Sequence, residues 1–494
     1  MKVAATKPWR HCLNALALAG ALLPQAASST ELLSYCLNQI EAIGAPVTEP
    51  LTRHRQFGQL VLLRDQLKYL AESGDSDDLG RCTLLLNKAM GQFRPQPQPD
   101  PTLLALQAQL IHLDKQVLKT VAIGTPRCMA GLAPDHPTTL DLEAGAVSRY
   151  LNQASDSGCR RAVWLAYQNR GAPDARVPLR HYRERASEQA RAARFDSDAD
   201  QQLQHTPLWQ ADRVAEFLNR MEPDDRHLPW QPRPPELQLS TPPEQIARQS
   251  LQRLVAILGL SLEPIEPGQW QLWDDNRLLG YLSLQGGEES AQTLLQNHWI
   301  GLSPAVAQLT YRTSPWYPRH WHRWMAQSAE TLVSMAGQPL PYAPSPSGGA
   351  GYGFGRALAR QPDLQQAVLG ETLPPRPLYS AWALYQARMG LAVAQQAPWS
   401  PTALSRYSER WFQHYFQQPA PSGLAPWNSH SDWAIAGARA YLPIWYAHQG
   451  ERLLAQWQAG ELSPSQIWLA LAFADGEPWP QNQKSPAEYA GPTF

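Results

Sequence analysis

Histidines and carboxylates at metal-ligand spacing would be the most direct sign of hydrolytic chemistry, and the densest such group is His320-Trp-His322, with His298 upstream. Spacing of i, i+2 puts two side chains on one face of a strand but on divergent sides of a helix, and zinc needs at least three converging ligands. The same residues therefore also read as interfacial histidines among Trp316, Tyr317, Trp321 and Trp324. No H-E-x-x-H occurs, and no G-x-S-x-G offers a serine nucleophile. Asp432 stands two residues from His430 and could orient it, but nothing near it identifies a nucleophile. Glu288-Glu289 follow two glycines and read as a solvated turn. The run Ser347-Gly-Gly-Ala-Gly-Tyr-Gly-Phe-Gly355 lacks the Lys-Ser/Thr ending of a phosphate loop, and its glycine density predicts a mobile backbone.

Helices must carry most of these residues. Leu103, Leu106, Leu110, Leu113 and Val117 recur at three- and four-residue steps. Further helices are predicted near 139–153, 156–170, 177–193, 210–221, 245–260 and 316–336, with four more between 378 and 473. Two short apolar runs around a polar turn, from Trp270 to Leu284, predict a β-hairpin and hence a small sheet in a helical protein. The proline cluster from Pro229 to Pro243 is the predicted domain boundary.

Of the 494 residues 43% are hydrophobic and 17% charged, with 45 Pro and 19 Trp, a composition that can bury a large core and excludes wholesale disorder. A net charge of −1 leaves no basic footprint for nucleic acid. Lys2, Lys7 and Arg10 precede an apolar run from Cys12 to Leu23 and small residues at Ala26 to Ser29, the pattern of a secretory signal over residues 1–29. No later stretch is long and apolar enough for a membrane span. Export then leaves Cys36, Cys82, Cys128 and Cys159 in an oxidising compartment, where sequence proximity favours Cys36–Cys82 and Cys128–Cys159 among three possible pairings.

Three stretches together resemble the M3 family of zinc oligopeptidases (thimet oligopeptidase and oligopeptidase A type). Arg160-Arg-Ala-Val-Trp-Leu-Ala-Tyr167-Gln-Asn-Arg170 is similar to the end of the family's paired helices. Val214-Ala-Glu-Phe217-Leu218 with Leu228-Pro-Trp230 is similar to the segment around its P-W-D region, and Leu279-Gly280-Tyr281-Leu-Ser-Leu284 to its hairpin. The resemblance spans roughly residues 139–480 and implies a mainly α, two-lobed fold with a deep channel and a small sheet beside it. It divides the chain into a signal (1–29), an N-terminal helical lobe (30–235) and a catalytic-like lobe (236–494).

The family's H-E-x-x-H helix corresponds to Trp321–Met335, where the best register puts Ala326 and Glu330 at the histidine positions and Gln327 at the general base. The zinc expected of the family has lost its ligands, and no acid lies between Ser345 and Gln361 to supply the third. The resemblance thus implies a pseudopeptidase without cofactor, its channel open to short peptides, with His430 and Tyr441 as candidate peptide-binding residues. Two alternatives stand beside it: an active metallo-oligopeptidase with a displaced site built from His298, His320, His322 or His430, and a structural or partner-binding protein with a closed channel.

Overall fold

The computed structural model describes residues 29–472 apart from 48–49, 72–76, 94–99, 117–118, 134–136, 172–173, 205, 300–301, 337–348 and 429–430. The leader read over residues 1–29 falls outside them but for its last residue, and His430 falls outside them as well. The fold is mainly helical with a small sheet. Among the described residues no helix is long and apolar enough to cross a membrane.

The described residues form two compact units, the first made of those within 29–93 with Trp299 and Leu302, and the second of the others. The first unit is three helices, α1 (Ser29–Ile43), α2 (Pro50–Ala71) and α3 (Asp77–Gln92). Cys36 and Cys82 join α1 to α3 with Cα atoms 5.9 Å apart. Phe57, Leu60, Leu67, Leu86 and Phe93 form the core, and Trp299 completes it from a distant part of the sequence. Gly58 makes room for that indole, since a Cβ there would lie 2.6 Å from Trp299 Cε3. A glycine inside a helix costs about 1 kcal/mol relative to Ala, and here the buried indole offsets it.

The second unit opens with α4 (Pro101–Gln116), a two-stranded ribbon of β1 (Thr120–Ala122) and β2 (Thr139–Asp141), and the short α5 (Pro126–Met129) between them. Then come α6 (Ala144–Gln153), α7 (Ser157–Gln168), α8 (Arg176–Ala192), α9 (Asp198–Leu203) and α10 (Ala211–Arg220). Cys128 in α5 and Cys159 in α7 form the second disulfide. Asp156 caps α7 by accepting from Cys159 N at 2.8 Å, satisfying one of its orphan amides. Residues 229–243 run through this unit, with Trp230 and Leu239 in its core, so the chain does not divide at the prolines.

After α11 (Pro243–Ile257) comes a five-stranded sheet of β3 (Ser261–Glu266), β4 (Gln269–Asp274), β5 (Arg277–Gly287), β6 (Ala291–Gln296) and β7 (Ala305–Arg312). Their order is β3-β4-β5-β7-β6, antiparallel except for the parallel pair β5–β7. The predicted hairpin is β4–β5; the strands beyond it complete the sheet. Alternate residues of β7 (Ala305, Ala307, Leu309) are buried, as expected of a sheet covered on one face. The remaining helices are α12 (Pro318–Ala336), α13 (Ala350–Leu358), α14 (Pro362–Leu369), α15 (Ala381–Gln395), α16 (Pro401–Phe416), α17 (Ser431–Ile435), α18 (Leu442–Gln458) and α19 (Pro464–Ala472).

Candidate functional site

Helix α12 is buried along nearly its whole length, its polar side chains His322, Gln327, Ser328, Glu330 and Thr331 included. The Trp321 indole donates to Ala359 O (2.9 Å) and that of Trp324 to Ser250 Oγ (2.8 Å), fixing its rotation. One flank lies against the edge strand β6, where the Thr331 hydroxyl is 3.1 Å from Gln292 Oε1. The other carries α13.

The glycine-rich run predicted to be mobile is helical from Ala350 onward, and the reason is tertiary. A Cβ at Gly351 would lie 2.8 Å from Ala329 O, and one at Gly355 would lie 2.4 Å from Met325 O and 2.8 Å from Ala326 Cα. Glycines at i and i+4 therefore let the two helix backbones touch at Met325-Ala326 and Ala329-Glu330. Local propensity is overridden by packing available only to residues without a side chain.

This contact decides what Ala326, Gln327 and Glu330 can do. Ala326 is wholly buried under the α13 backbone and presents only a methyl group. Gln327 is a buried neutral amide whose Oε1 has no hydrogen-bond partner. The buried Glu330 carboxylate accepts from Tyr352 N at 2.8 Å through Oε2, and so caps the N-terminus of α13. The methyl group and the amide supply neither a base nor a zinc ligand, and the one carboxylate is engaged with a helix end. A lone carboxylate falls short of the three protein ligands that zinc needs.

The histidines stand in separate surroundings. His298 Nδ1 lies 2.9 Å from Leu279 O, and burial holds its pKa below the ordinary value. His320 accepts from Tyr317 N at 3.1 Å through Nδ1 and is pushed down to about 4, mainly by burial. His322 is buried on α12 with no partner for Nε2. Burial, then Arg376, Arg356 and Arg360, push it down to about 3. Among the described residues no three His, Cys, Asp or Glu gather closely enough to hold a metal ion. Tyr441 is fully buried, its hydroxyl donating to Thr206 Oγ1 (3.0 Å) and accepting from Leu208 N (3.1 Å).

The buried His322 makes stability pH-dependent. An unfolded histidine takes up a proton near pH 6.5, whereas the folded chain resists until about pH 3. The stabilisation is complete above pH 6.5 and is lost as pH falls toward 3. At pH 5 the loss is about 2 kcal/mol. Urea unfolding of His322→Gln at pH 7 and pH 5 should show a pH-induced drop smaller by that amount than in the parent chain; equal drops would refute the assignment.

Two features escaped the sequence reading. One is a layer of charges contributed by residues far apart in the chain. Arg376 Nη1 lies 2.9 Å from Glu236 Oε1, and Arg319 Nη1 3.3 Å from Glu236 Oε2. Arg360 Nη1 lies 2.9 Å from Glu451 Oε1 and 3.6 Å from Asp224 Oδ2. The Tyr379 hydroxyl donates to Glu451 Oε2 at 2.8 Å. The i, i+4 spacing of Arg356 and Arg360 was the only local hint. The other is a surface recess of about 320 Å³ lined by Tyr167, Gln168, Arg170, Trp382, Gln386, Asp432 and Trp433.

No protein-family model matches the chain, and no curated protein matches it.

Proposed function

We propose that this protein is an exported, M3-like pseudopeptidase that holds no zinc, hydrolyses no peptide bond and binds extended peptides beside α12. The observation that carries the reading is the capture of Glu330 as the cap of α13, with Ala326 sealed beneath Gly355. The site is a packed helix crossing rather than a cleft awaiting an ion. Export accords with the two disulfides, which persist in oxidising compartments. The two-lobed M3 fold and its channel belong to the same proposal.

Peptide binding draws support from β6. It is the last strand of the sheet, and among the described residues no strand pairs with its outer edge. Ala291 to Leu295 are exposed, and Gln292 touches Thr331 of α12. An extended peptide can add to such an edge through main-chain hydrogen bonds.

The test is metal analysis of the purified protein combined with a quenched-fluorescent peptide library. Zinc should remain far below one ion per chain and no fluorescence should develop, while the library should slow amide exchange across residues 291–296. Stoichiometric zinc with chelator-sensitive turnover would overturn the assignment of inactivity.

A further inference from the structure

Arg356 differs from the other arginines of the charged layer. Arg356 is half-buried, and its guanidinium hydrogen-bonds to backbone carbonyls, Leu378 O at 2.8 Å and Pro377 O at 3.5 Å. Among the described residues no carboxylate lies within ion-pair distance of it, whereas Arg319, Arg360 and Arg376 all have one. A guanidinium withdrawn from water without a counter-charge is costly. The hydrogen bonds to 377 and 378 bring it beside Arg376, and α13 packs along α12 so that the buried His322, with Nε2 unpartnered, lies within electrostatic reach of Arg356, Arg360 and Arg376. Glu236, Asp224 and Glu451 pair with Arg319, Arg360 and Arg376, which leaves Arg356 without a carboxylate of its own.

We propose that Arg356, with Arg376 and the unpartnered Nε2 of His322, forms a binding site for one carboxylate group of a small ligand. A carboxylate suits a guanidinium that lacks an acidic partner, while a phosphate dianion would face stronger repulsion from the three acids of the layer. A planar carboxylate suits the donor fork of arginine. The carboxylate can come from the C-terminus of a short peptide or from a free organic acid. The inference goes beyond the proposed function, because it needs neither peptide capture by β6 nor the loss of catalysis.

The test uses the full chain and calorimetric titration with four probes: Ala-Ala-Phe, its C-terminal amide, butyrate and inorganic phosphate. At least one carboxylate probe should bind. Ala-Ala-Phe outcompeting butyrate would identify a peptide end, and the reverse a free acid. Amidation should abolish the peptide's binding, and Arg356→Gln should weaken the carboxylate probe about tenfold to a hundredfold. Arg356→Lys should retain part of the affinity, and an unchanged circular dichroism spectrum would show that both variants fold. Equal binding of acid and amide, binding of phosphate alone, no binding by either carboxylate, or full affinity in Arg356→Gln would each overturn the site. Cleavage of the tripeptide would count against the proposed function and leave this comparison intact.

Discussion

Replacing Arg183 with methionine should destabilise the second unit by about 3–5 kcal/mol, the cost of breaking a buried ion pair from one side. The Arg183 side chain is fully buried and that of Asp198 is 8% exposed. The guanidinium pairs with Asp198 Oδ2 and donates to Ala394 O (2.7 Å) and Ala434 O (3.3 Å), so one side chain of α8 ties together α9, α15 and α17. Methionine fills similar volume but leaves Asp198 with Gln202 Nε2, 2.7 Å away, as its remaining side-chain donor, and leaves two buried carbonyls without this donor. An uncompensated buried charge, rather than lost attraction, dominates the penalty. The double variant Arg183→Met/Asp198→Leu should therefore be more stable than Arg183→Met alone. Urea unfolding checks both orders. A single-variant loss below about 1 kcal/mol, the range of an exposed pair, would show that Arg183 is not sealed from water. Because Ala434 adjoins Trp433, the same variant should also loosen the recess around Trp382 and Asp432.

Arg183 also marks where reading the chain locally stops working. Its stretch, residues 176–185, reads as a solvated basic helix face, and much of it is exposed. Arg183 is the exception because its partners lie 15 to 251 positions away, beyond any periodicity. What depends on neighbours in sequence was legible: α6, α7, α8 and α10 fall within a few residues of their predicted spans, apart from a later start of α6, since their apolar stripes face a core. The disulfides join nearest cysteines, and the polar turn at Asp275-Asn276 carries the expected hairpin. The strand β6 was not anticipated, because it is a solvated edge with no buried alternation to betray it. Trp299 closes a three-helix unit more than 200 residues earlier in the chain, a partnership that no local pattern announces. At the candidate site, the identities of Ala326, Gln327 and Glu330 were plain from the sequence. The new role of Glu330 was not, because it exists only once α13 has formed across α12.

Gly353→Ala gives the sharpest test of that crossing, with an expected loss of about 3 kcal/mol, the upper end of overpacking. Helix α13 touches α12 through Gly351 and Gly355 and α18 through Gly353, so it is clamped on two sides. An added Cβ at position 353 would lie 2.1 Å from Tyr446 O and 2.3 Å from Tyr446 C. These are backbone atoms inside α18 and cannot swing aside as a flexible side chain could. Gly450 faces the same contact from α18, where a Cβ would meet Gly353 C at 2.6 Å, so neither helix can yield without shifting as a whole. Intrinsic propensity favours the alanine by about 1 kcal/mol; the steric term must exceed that gain for the sign to be unfavourable. Gly80 in α3 supplies the control, since nothing lies within 4 Å of a Cβ built there. Gly80→Ala should stabilise by up to about 1 kcal/mol through propensity and a less flexible unfolded chain. Opposite signs for one substitution in two helices would establish that α13 is held by backbone contact. Should Gly353→Ala be neutral or stabilising, α13 would not be seated on α18, and the argument that its glycines seal Ala326 beneath it would lose its footing.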